Sequence, residues 1–330
     1  MAAQEFRVVT VGGQGHYSLA SEFGKGFKLA AVAGDGLDDT ARAISQRPYA
    51  QGVPYYEDFA KMLDEVPADV LYVAAWPAQR GRYILAALER GMHVITDKPI
   101  ANSDAELEKI RALTQQKSLH LLAEYTMRGG AAYQAARAAV QAGRIGEPVL
   151  IFGQKSYKFR GTRPDYYKTR KGYPGTIMFV GCHVMDLAWW VSGLDFATVE
   201  GGTYGNLAKK DYGEFDDHAA VLLTMRNGAT ALMSLDYLRP DGAPTHGDDR
   251  IRIAGSQGVI EVRDNKCVLL SGNQPPAELA DGGENRELGK EYLNVLRTGQ
   301  GMFSTAGSLY MARVMLKSRE AVESGKRIVL

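Results

Sequence analysis

The residues with the clearest chemical potential form the tripeptide Asp97-Lys98-Pro99, directly after a short apolar run at residues 93–96. Such a run predicts a buried parallel strand, and ligands of open α/β sheets bind beyond the carboxyl ends of these strands. A lysine in this place would lie at the ligand-binding edge of such a sheet. An isolated lysine is more often simply solvated, so the tripeptide needs further support.

A glycine turn, Gly12-Gly13-Gln14-Gly15-His16, follows the first apolar run at residues 6–11. Glycines let the backbone approach a dinucleotide pyrophosphate closely, and a helix predicted after the turn would direct N–H groups at it. The turn is one residue shorter than Gly-x-Gly-x-x-Gly, so an ordinary glycine turn is an equal alternative.

Asp35 lies at the end of the second predicted strand, about 20 residues after the glycines, where a carboxylate accepts hydrogen bonds from the adenosine ribose. A carboxylate there repels a 2′-phosphate, and no arginine follows immediately, so NAD is favoured over NADP. The alternative is that Asp35 only begins an Asp-Gly turn with Gly36.

The spacing of apolar residues predicts how these groups are positioned. Short apolar runs alternate with amphipathic segments, a pattern typical of a parallel sheet covered by helices on both faces. Ser103 is the expected N-cap of one helix, with Glu106 completing a capping box. The runs are residues 6–11, 29–33, 70–75, 93–96 and 119–125, and the helices are residues 39–47, 58–64, 80–90 and 104–116.

The pattern changes after Tyr125, where one helix ends at Gly143 and long strands follow. Asn227-Gly228 between two apolar runs predicts a hairpin with a type I′ turn. We therefore expect an α/β Rossmann domain at 1–124 and an α+β domain with a large open, mostly antiparallel sheet at 125–330. Its predicted helices are 131–142, 288–298 and 305–324, its strands include 219–226, 229–237, 250–254, 259–263 and 266–270, and 273–285 is a loop.

Composition excludes several classes of protein. The 39 basic and 38 acidic residues nearly cancel, which argues against nucleic acid or an anionic membrane as partner. Cys182 and Cys267 lie far apart, so neither a disulfide scaffold nor a cysteine-based metal site is expected. No secretory leader and no long apolar segment is present, and we expect a cytoplasmic protein without a bound metal.

Five segments resemble the Gfo/Idh/MocA family of oxidoreductases. Asp97-Lys98-Pro99 stands where the family has Glu-Lys-Pro, so Asp97 is a conservative departure. The segment that ends in Cys182-His183-Val-Met-Asp186 is similar to the family's catalytic helix. The resemblance covers nearly the whole chain, in segments 91–101, 142–148, 175–186, 253–261 and 323–330.

The resemblance implies hydride transfer between NAD and a sugar or polyol. Lys98 and His183 would handle the hydroxyl proton, and the Lys98–Pro99 bond would be cis. Asp186 would orient the histidine or bind a substrate hydroxyl. Cofactor contacts are expected from Gly12, Gly13, Gln14, Gly15, His16, Asp35, Ala75, Trp76, Pro77, Asp97 and Lys98.

Two departures bear on the substrate. Phe179 occupies the place, four residues before His183, where the family's polyol dehydrogenases have an aspartate. The Asn and His that follow the family's proline are also absent, since Pro77 is followed by Ala78, Gln79 and Arg80. These differences put inositol-type activity in doubt.

Residues 155–173 are strongly basic and aromatic. We expect substrate contacts from Lys155, Tyr157, Arg163 and Tyr167, with tyrosines stacking on a sugar ring and cations meeting a carboxylate or phosphate. A solvated loop or a subunit contact is an equal alternative.

Rival hypotheses remain at this stage. Without the resemblance, His183 is better explained as a buried histidine in an apolar helix. The chain could instead be an NAD-recycling glycosidase or epimerase, or a non-catalytic NAD-binding regulator of the same fold. A carbohydrate-like small molecule is the expected partner, and the large sheet is expected to form a homodimer or homotetramer.

Overall fold

The computed structural model describes residues 5–161, 163–279 and 284–330. The chain forms two compact units, one of residues 1–124 with 287–312 and the other of residues 125–286 with 313–330. The polar loop predicted at 273–285 lies partly outside the described residues. The first four residues, which belong to the segment searched for a secretory leader, also lie outside them.

The first unit is built on a six-stranded parallel sheet with the order β3-β2-β1-β4-β5-β6, the order of the dinucleotide-binding Rossmann fold. The order reverses between β1 and β4, so the carboxyl ends of these two strands flank the crevice where such sheets bind ligands. The strands are β1 (Phe6–Gly12), β2 (Phe27–Ala33), β3 (Tyr55–Tyr56), β4 (Val70–Ala74), β5 (His93–Thr96) and β6 (Leu121–Ala123).

Helices cover this sheet as the apolar spacing predicts, and β1 and β4 are buried along almost their whole length. At the N-terminus of α4, the Ser103 side chain accepts a hydrogen bond from Glu106 N, which confirms the cap. The Glu106 carboxylate reaches Asn102 N rather than Ser103 N, so the capping box is incomplete. The helices are α1 (Thr40–Ser45), α2 (Phe59–Glu65), α3 (Arg80–Glu89), α4 (Asp104–Lys117) and, later in the chain, α8 (Leu288–Thr298).

The helix predicted after the glycine turn is wrong. A three-residue 3₁₀ turn, Ala20–Glu22, is the helical element between β1 and β2. The connection is held by side chains instead, because Ser18 N donates to Glu124 Oε1 and Tyr17 N donates to the Tyr72 hydroxyl. Within the described part of the chain, the connection from β1 to β2 therefore contains no long helix.

The second unit contains a nine-stranded sheet with the order β14-β13-β12-β11-β7-β10-β9-β8-β15. The β7–β10 pair is parallel and the other pairs are antiparallel. The sheet is therefore mostly antiparallel, as predicted. Its strands are β7 (Pro148–Lys158), β8 (Phe196–Gly205), β9 (His218–Met225), β10 (Thr230–Arg239), β11 (Gly247–Gly255), β12 (Gly258–Arg263), β13 (Lys266–Ser271), β14 (Ala277–Glu278) and β15 (Ile328–Val329).

The β9–β10 hairpin is confirmed, but the predicted type I′ turn is wrong. Type I′ requires a positive φ at both central residues, and Gly228 (φ 89°) has one whereas Asn227 does not. Gly228 N donates to Met225 O and Met225 N donates to Ala229 O, which is the three-residue loop with a left-handed glycine.

Helices pack on one face of this sheet. A Cβ added to Gly153 of β7 would lie 2.2 Å from Val184 of α7, so helix and strand approach closely. The opposite face leaves Leu150, Leu222 and Leu232 exposed on neighbouring strands. The helices of this unit are α5 (Ala131–Gln141), α6 (Thr176–Phe179) and α7 (Gly181–Ser192), while α9 (Thr305–Ser324) begins in the first unit and ends in the second.

Among the described helices, none is both long and apolar enough to cross a membrane. The predicted fold class, a Rossmann domain plus an α+β domain with a mostly antiparallel sheet, is confirmed.

Candidate active site

The glycine turn lies at the carboxyl end of β1, where strand order reverses. Gly12 has a φ of 74°, and a Cβ there would lie 2.6 Å from Ala74 O. A Cβ on Gly13 would lie 2.4 Å from Thr40 O. Glycine is therefore required at both positions by the backbone, since a side chain would collide with main-chain atoms.

Asp38 links this turn to the loop after β4. Its carboxylate accepts hydrogen bonds from Gln14 Nε2 at 3.0 Å and Trp76 Nε1 at 2.6 Å. Thr40 N donates to it as well, at 2.8 Å. Burial opposes ionisation of Asp38, but these hydrogen bonds lower its pKa below the ordinary value. Gln14 and Trp76, both predicted cofactor contacts, are thus held together by a residue that sequence reasoning missed.

Asp35 is buried at the end of β2, as predicted for a ribose ligand. Its Oδ1 accepts from Leu37 N at 3.0 Å, whereas its buried Oδ2 has no hydrogen-bond partner among the described residues. Burial is the main reason that the pKa of Asp35 is raised. An orphaned buried acceptor is costly and suits a ligand hydroxyl that donates to it.

Arg80 joins three strand ends at the same edge. Its side chain donates to Ala75 O at 3.0 Å, Gln14 O at 2.9 Å and the Asp97 carboxylate at 3.1 Å. It also donates to Lys98 O. Arg80 is fully buried, so it fixes the loops after β1, β4 and β5 in one arrangement. Predicted contacts from all three loops therefore share this edge.

Lys98 is buried, with 3% of its surface exposed, and the predicted cis bond to Pro99 is present. Burial would raise the pKa of the neighbouring Asp97 carboxyl, but Arg80, Lys98 and His16 hold that pKa well below its usual range. His16 Nδ1 lies 3.0 Å from Asp97 Oδ1. Asp97 therefore remains an anion beside the lysine.

Glu124 is a second buried carboxyl of this edge and was not predicted. It lies just after β6, accepts from the Tyr72 hydroxyl, and has its pKa raised by burial and by Asp97. The rule that selected Asp97, a charged residue at a strand's carboxyl end, would have found it. Carboxyls whose pKa values are driven apart are typical of acid–base sites.

One ligand atom from each of His16, Asp97 and Glu124 lies within 4.8 Å of the others, a spacing that a metal ion could use. Protein donors already bind both carboxylates, and Arg80 forms an ion pair with Asp97. Cations at this distance disfavour a further positive ion, so the group is better described as a hydrogen-bonded network.

In the second unit, His183 is buried in the first turn of α7, with 2% of its surface exposed. Asp186 shares its helical face, but both carboxylate oxygens accept from Arg128, with Nε at 2.9 Å. Burial raises the pKa of Asp186, and Arg128 opposes this. The structure therefore places Asp186 in an ion pair with a residue that sequence reasoning missed.

The predicted substrate contacts of the basic segment fall into one cluster of this unit. Lys155 Nζ pairs with Asp249 at 2.6 Å and lies 4.9 Å from the Tyr157 ring centroid. The guanidinium of Arg163 lies 5.7 Å from the Tyr167 ring centroid. Burial lowers the pKa of Lys155, and Asp249 partly restores it.

Phe179 packs into an aromatic group rather than leaving a gap where the polyol dehydrogenases have a carboxylate. Its ring centroid lies 5.8 Å from that of Tyr167 and 5.5 Å from that of Tyr173. Phe179, the last residue of α6, therefore contributes an apolar contact four residues before His183.

Comparison with known proteins agrees with this geometry. Residues 6–125 match the model of an oxidoreductase family with an NAD-binding Rossmann fold. Residues 133–261 match the Gfo/Idh/MocA C-terminal domain. The chain belongs to the Gfo/Idh/MocA family. The predicted resemblance is confirmed, and so is NAD as the cofactor of the Rossmann domain.

Individual relatives of this Gfo/Idh/MocA chain are polyol and sugar enzymes. It is 26% identical over 217 residues to inositol 2-dehydrogenase of Pseudomonas fluorescens, covering 66% of this chain and 62% of that protein. It is also 26% identical over 219 residues to D-apiose dehydrogenase of Rhizobium rhizogenes, covering 66% and 61%. The chain thus spans about six-tenths of the length of these relatives.

A solved structure matches over a longer part. A Thermotoga maritima protein thought to be an oxidoreductase superimposes with a TM-score of 0.92 and 30% identity. The match covers 98% of this chain and 100% of that one.

Proposed function

We propose that this protein is an NAD-dependent dehydrogenase that transfers a hydride between the nicotinamide and a carbon of a sugar, polyol or related hydroxy compound. Lys98 and His183 handle the proton of the reacting hydroxyl. The observation that carries the proposal is the buried lysine at the carboxyl edge of the Rossmann sheet. Its neighbours Asp97 and Arg80 fix the loop on which it stands.

The residues at this edge fit NAD. The glycines bring the backbone within reach of a pyrophosphate, and the orphaned Oδ2 of Asp35 suits a ribose hydroxyl. When bound, NAD supplies the hydride acceptor. The protein's part is to hold the ring near Lys98, to exclude water and to accept the hydroxyl proton.

Lys98 is buried at this edge, next to the Asp97 carboxylate, which stays ionised. His183 is the second proton-transfer group, since an imidazole can both donate and accept a proton. Positioned acids and bases contribute about 10²–10⁴ to the rate, so loss of either group is expected to impair catalysis severely.

The exposed leucines on the open sheet face support a further part of the proposal. Contiguous apolar patches on a sheet commonly mark subunit interfaces. A homodimer or homotetramer through this face would cover Leu150, Leu222 and Leu232.

The test is an assay of purified protein with a panel of sugars, inositols and sugar acids, with NAD and NADP separately. Net growth of the reduced-nicotinamide absorbance with NAD is the expected result. Product formation without net NADH would indicate a cofactor-recycling glycosidase or epimerase. Cofactor binding without turnover of any compound would contradict the proposal and favour a regulator.

A further inference from the structure

We infer that the substrate carries a carboxylate or phosphate group, bound by a cation cluster of Lys158, Arg160 and Arg163 in the second unit. This inference rests on the proposed dehydrogenase function and adds the charge of the substrate to it. The observations behind it concern where these side chains lie, what they bind and what lies beside them.

The cation cluster is located at one end of the large sheet. Lys158 is the last residue of β7, and Arg160 and Arg163 follow it. β10 is parallel to β7 and ends at the same end of the sheet, where Lys158 Nζ donates to Asp241 O at 2.7 Å and to Ala243 O. Three cations therefore lie within six residues of sequence at this end of the sheet.

These cations have no carboxylate partner within salt-bridge distance among the described residues. Lys158 and Arg163 donate to backbone carbonyls instead. Arg160 is exposed and has a φ of 61°, a region that non-glycine residues rarely adopt. The carboxylate of Asp249 is bound to Lys155, which is not a member of the cluster. In the part of the chain that the structure describes, the three cations are thus not paired with a carboxylate.

Aromatic rings and unsatisfied polar atoms complete the site. His246 stacks on Tyr157 with centroids 4.8 Å apart, and the Arg163 guanidinium lies 4.9 Å from the Tyr237 ring centroid. Burial is the main cause that lowers the pKa of His246 to about 4, and the charges of Arg160, Arg163, Lys155 and Lys158 lower it further. Its ring is therefore neutral at pH 7. Buried Arg163 Nε and His246 Nδ1 lack hydrogen-bond partners among the described residues. Asp249 Oδ1 lacks one too, but a carboxylate oxygen only accepts and would suit a substrate hydroxyl rather than the anionic group.

The cluster lies beyond the end of α7 that carries His183. Val184 packs beside Gly153, and Leu235, which pairs with Lys155, packs beside Gly181. α7 is therefore antiparallel to β7, and the N-terminal end of α7 lies on the side of the sheet's end that carries Lys158. Three residues of strand separate the level of Lys155 from Lys158, about 10 Å. A six-carbon chain and an arginine side chain together cover this distance.

Phe179 supports the same charge. A carboxylate at this position, as in the polyol dehydrogenases, would repel an anionic substrate near His183. The aromatic contacts of Phe179 with Tyr167 connect it to Arg163, which lies over the same tyrosine. The phenyl ring at this position adds no negative charge beside Arg163, so it does not oppose binding of an anionic group.

The experiment compares matched substrates that differ at one carbon: glucose, glucuronate and glucose 6-phosphate, and the corresponding galactose set. We expect kcat/KM to be at least tenfold higher for an anionic member, because hydrogen bonds to charged groups contribute about 1.5–3 kcal/mol, or about 10–150-fold. The preferred anion distinguishes a carboxylate from a phosphate.

Arg163→Gln tests the assignment to residues. It should raise KM for the anionic substrate about 10-fold or more with little change in kcat. It should lower kcat/KM for the neutral sugar by a much smaller factor, because that substrate lacks the charged group. Arg226→Gln, an equal change of charge at an exposed arginine of the β9–β10 turn, is the matched control and should alter neither value.

The outcomes separate the two proposals. Neutral sugars turned over as well as the anions, with Arg163→Gln silent, would overturn the inference and leave the dehydrogenase function intact. If no compound is oxidised, the dehydrogenase proposal fails, and calorimetry with glucuronate, glucose 6-phosphate and inorganic phosphate decides the inference. Binding that Arg163→Gln weakens at least tenfold would support it, and equal or absent binding would overturn it.

Discussion

The carboxyl edge of the Rossmann sheet and the cation cluster differ in how their charged side chains are paired. At the edge, Asp97 is bound by Arg80 and His16, and Glu124 by Tyr72 and Ser18. In the cluster, the side chains of Lys158 and Arg163 donate hydrogen bonds to backbone carbonyls and form no ion pair among the described residues. The protein fixes the loops of its cofactor edge with internal charge pairs. In the cation cluster, where we expect the charged group of the substrate to bind, the described cations have no carboxylate partner.

The largest expected effect on stability comes from Arg80→Met, which removes the ion pair with Asp97 at the Rossmann edge. Removing one partner of a buried ion pair leaves an uncompensated charge, which costs about 3–5 kcal/mol in unfolding free energy. Denaturant unfolding of cofactor-free protein measures it. Arg82→Met, an exposed arginine two residues further along α3, is the matched control and should change the unfolding free energy little.

The same variant has a defined pH dependence. Because the pKa of Asp97 is lowered in the folded protein, its pairing stabilises the fold above about pH 4, the ordinary pKa of an aspartate. This stability is lost as the pH falls below that value. The difference between wild type and Arg80→Met should therefore be full at pH 7 and shrink in acid. A difference that grew in acid would contradict the charge assignment.

A smaller effect is expected from Asp35→Asn. The orphaned Oδ2 is the proposed acceptor for a ribose hydroxyl, and loss of a hydrogen bond to a charged group weakens binding by about 10–150-fold. Calorimetric titration with NAD measures the change. Glu57→Gln, an exposed carboxylate of the same region, provides the control. Unchanged NAD affinity in Asp35→Asn would remove Asp35 from the cofactor site.

The smallest expected effect is on the stability contributed by the cation cluster. Arg163→Gln should change the unfolding free energy by about 1 kcal/mol or less, because its side chain makes one hydrogen bond to a carbonyl and two ring contacts. A loss as large as that of Arg80→Met would show that Arg163 is structural. Denaturant unfolding under identical conditions decides between these.

The sequence was sufficient to predict most features that depend on the local spacing of residue types. Alternating apolar runs located the parallel sheet, and the tripeptide ending in Pro99 located its edge. The turn at Gly228 was found, but its type was wrong because Asn227 keeps a negative φ that spacing alone does not reveal.

Long-range partners were not predictable in this way. Arg80 binds acceptors from three loops, and Arg128 meets Asp186 across 58 residues of sequence. Likewise, residues 287–312 cluster with the first unit, which a continuous division at residue 124 did not anticipate. Such contacts depend on tertiary packing, and no local pattern marks them.

The central claim is that the nicotinamide lies beside Lys98 and that this lysine moves the hydroxyl proton. Lys98→Met tests it most directly, with steady-state turnover and NAD affinity measured on the same preparation. We predict a fall in kcat of about 10²–10⁴ with NAD affinity within a few-fold of wild type. Unchanged turnover with normal NAD binding would contradict the account.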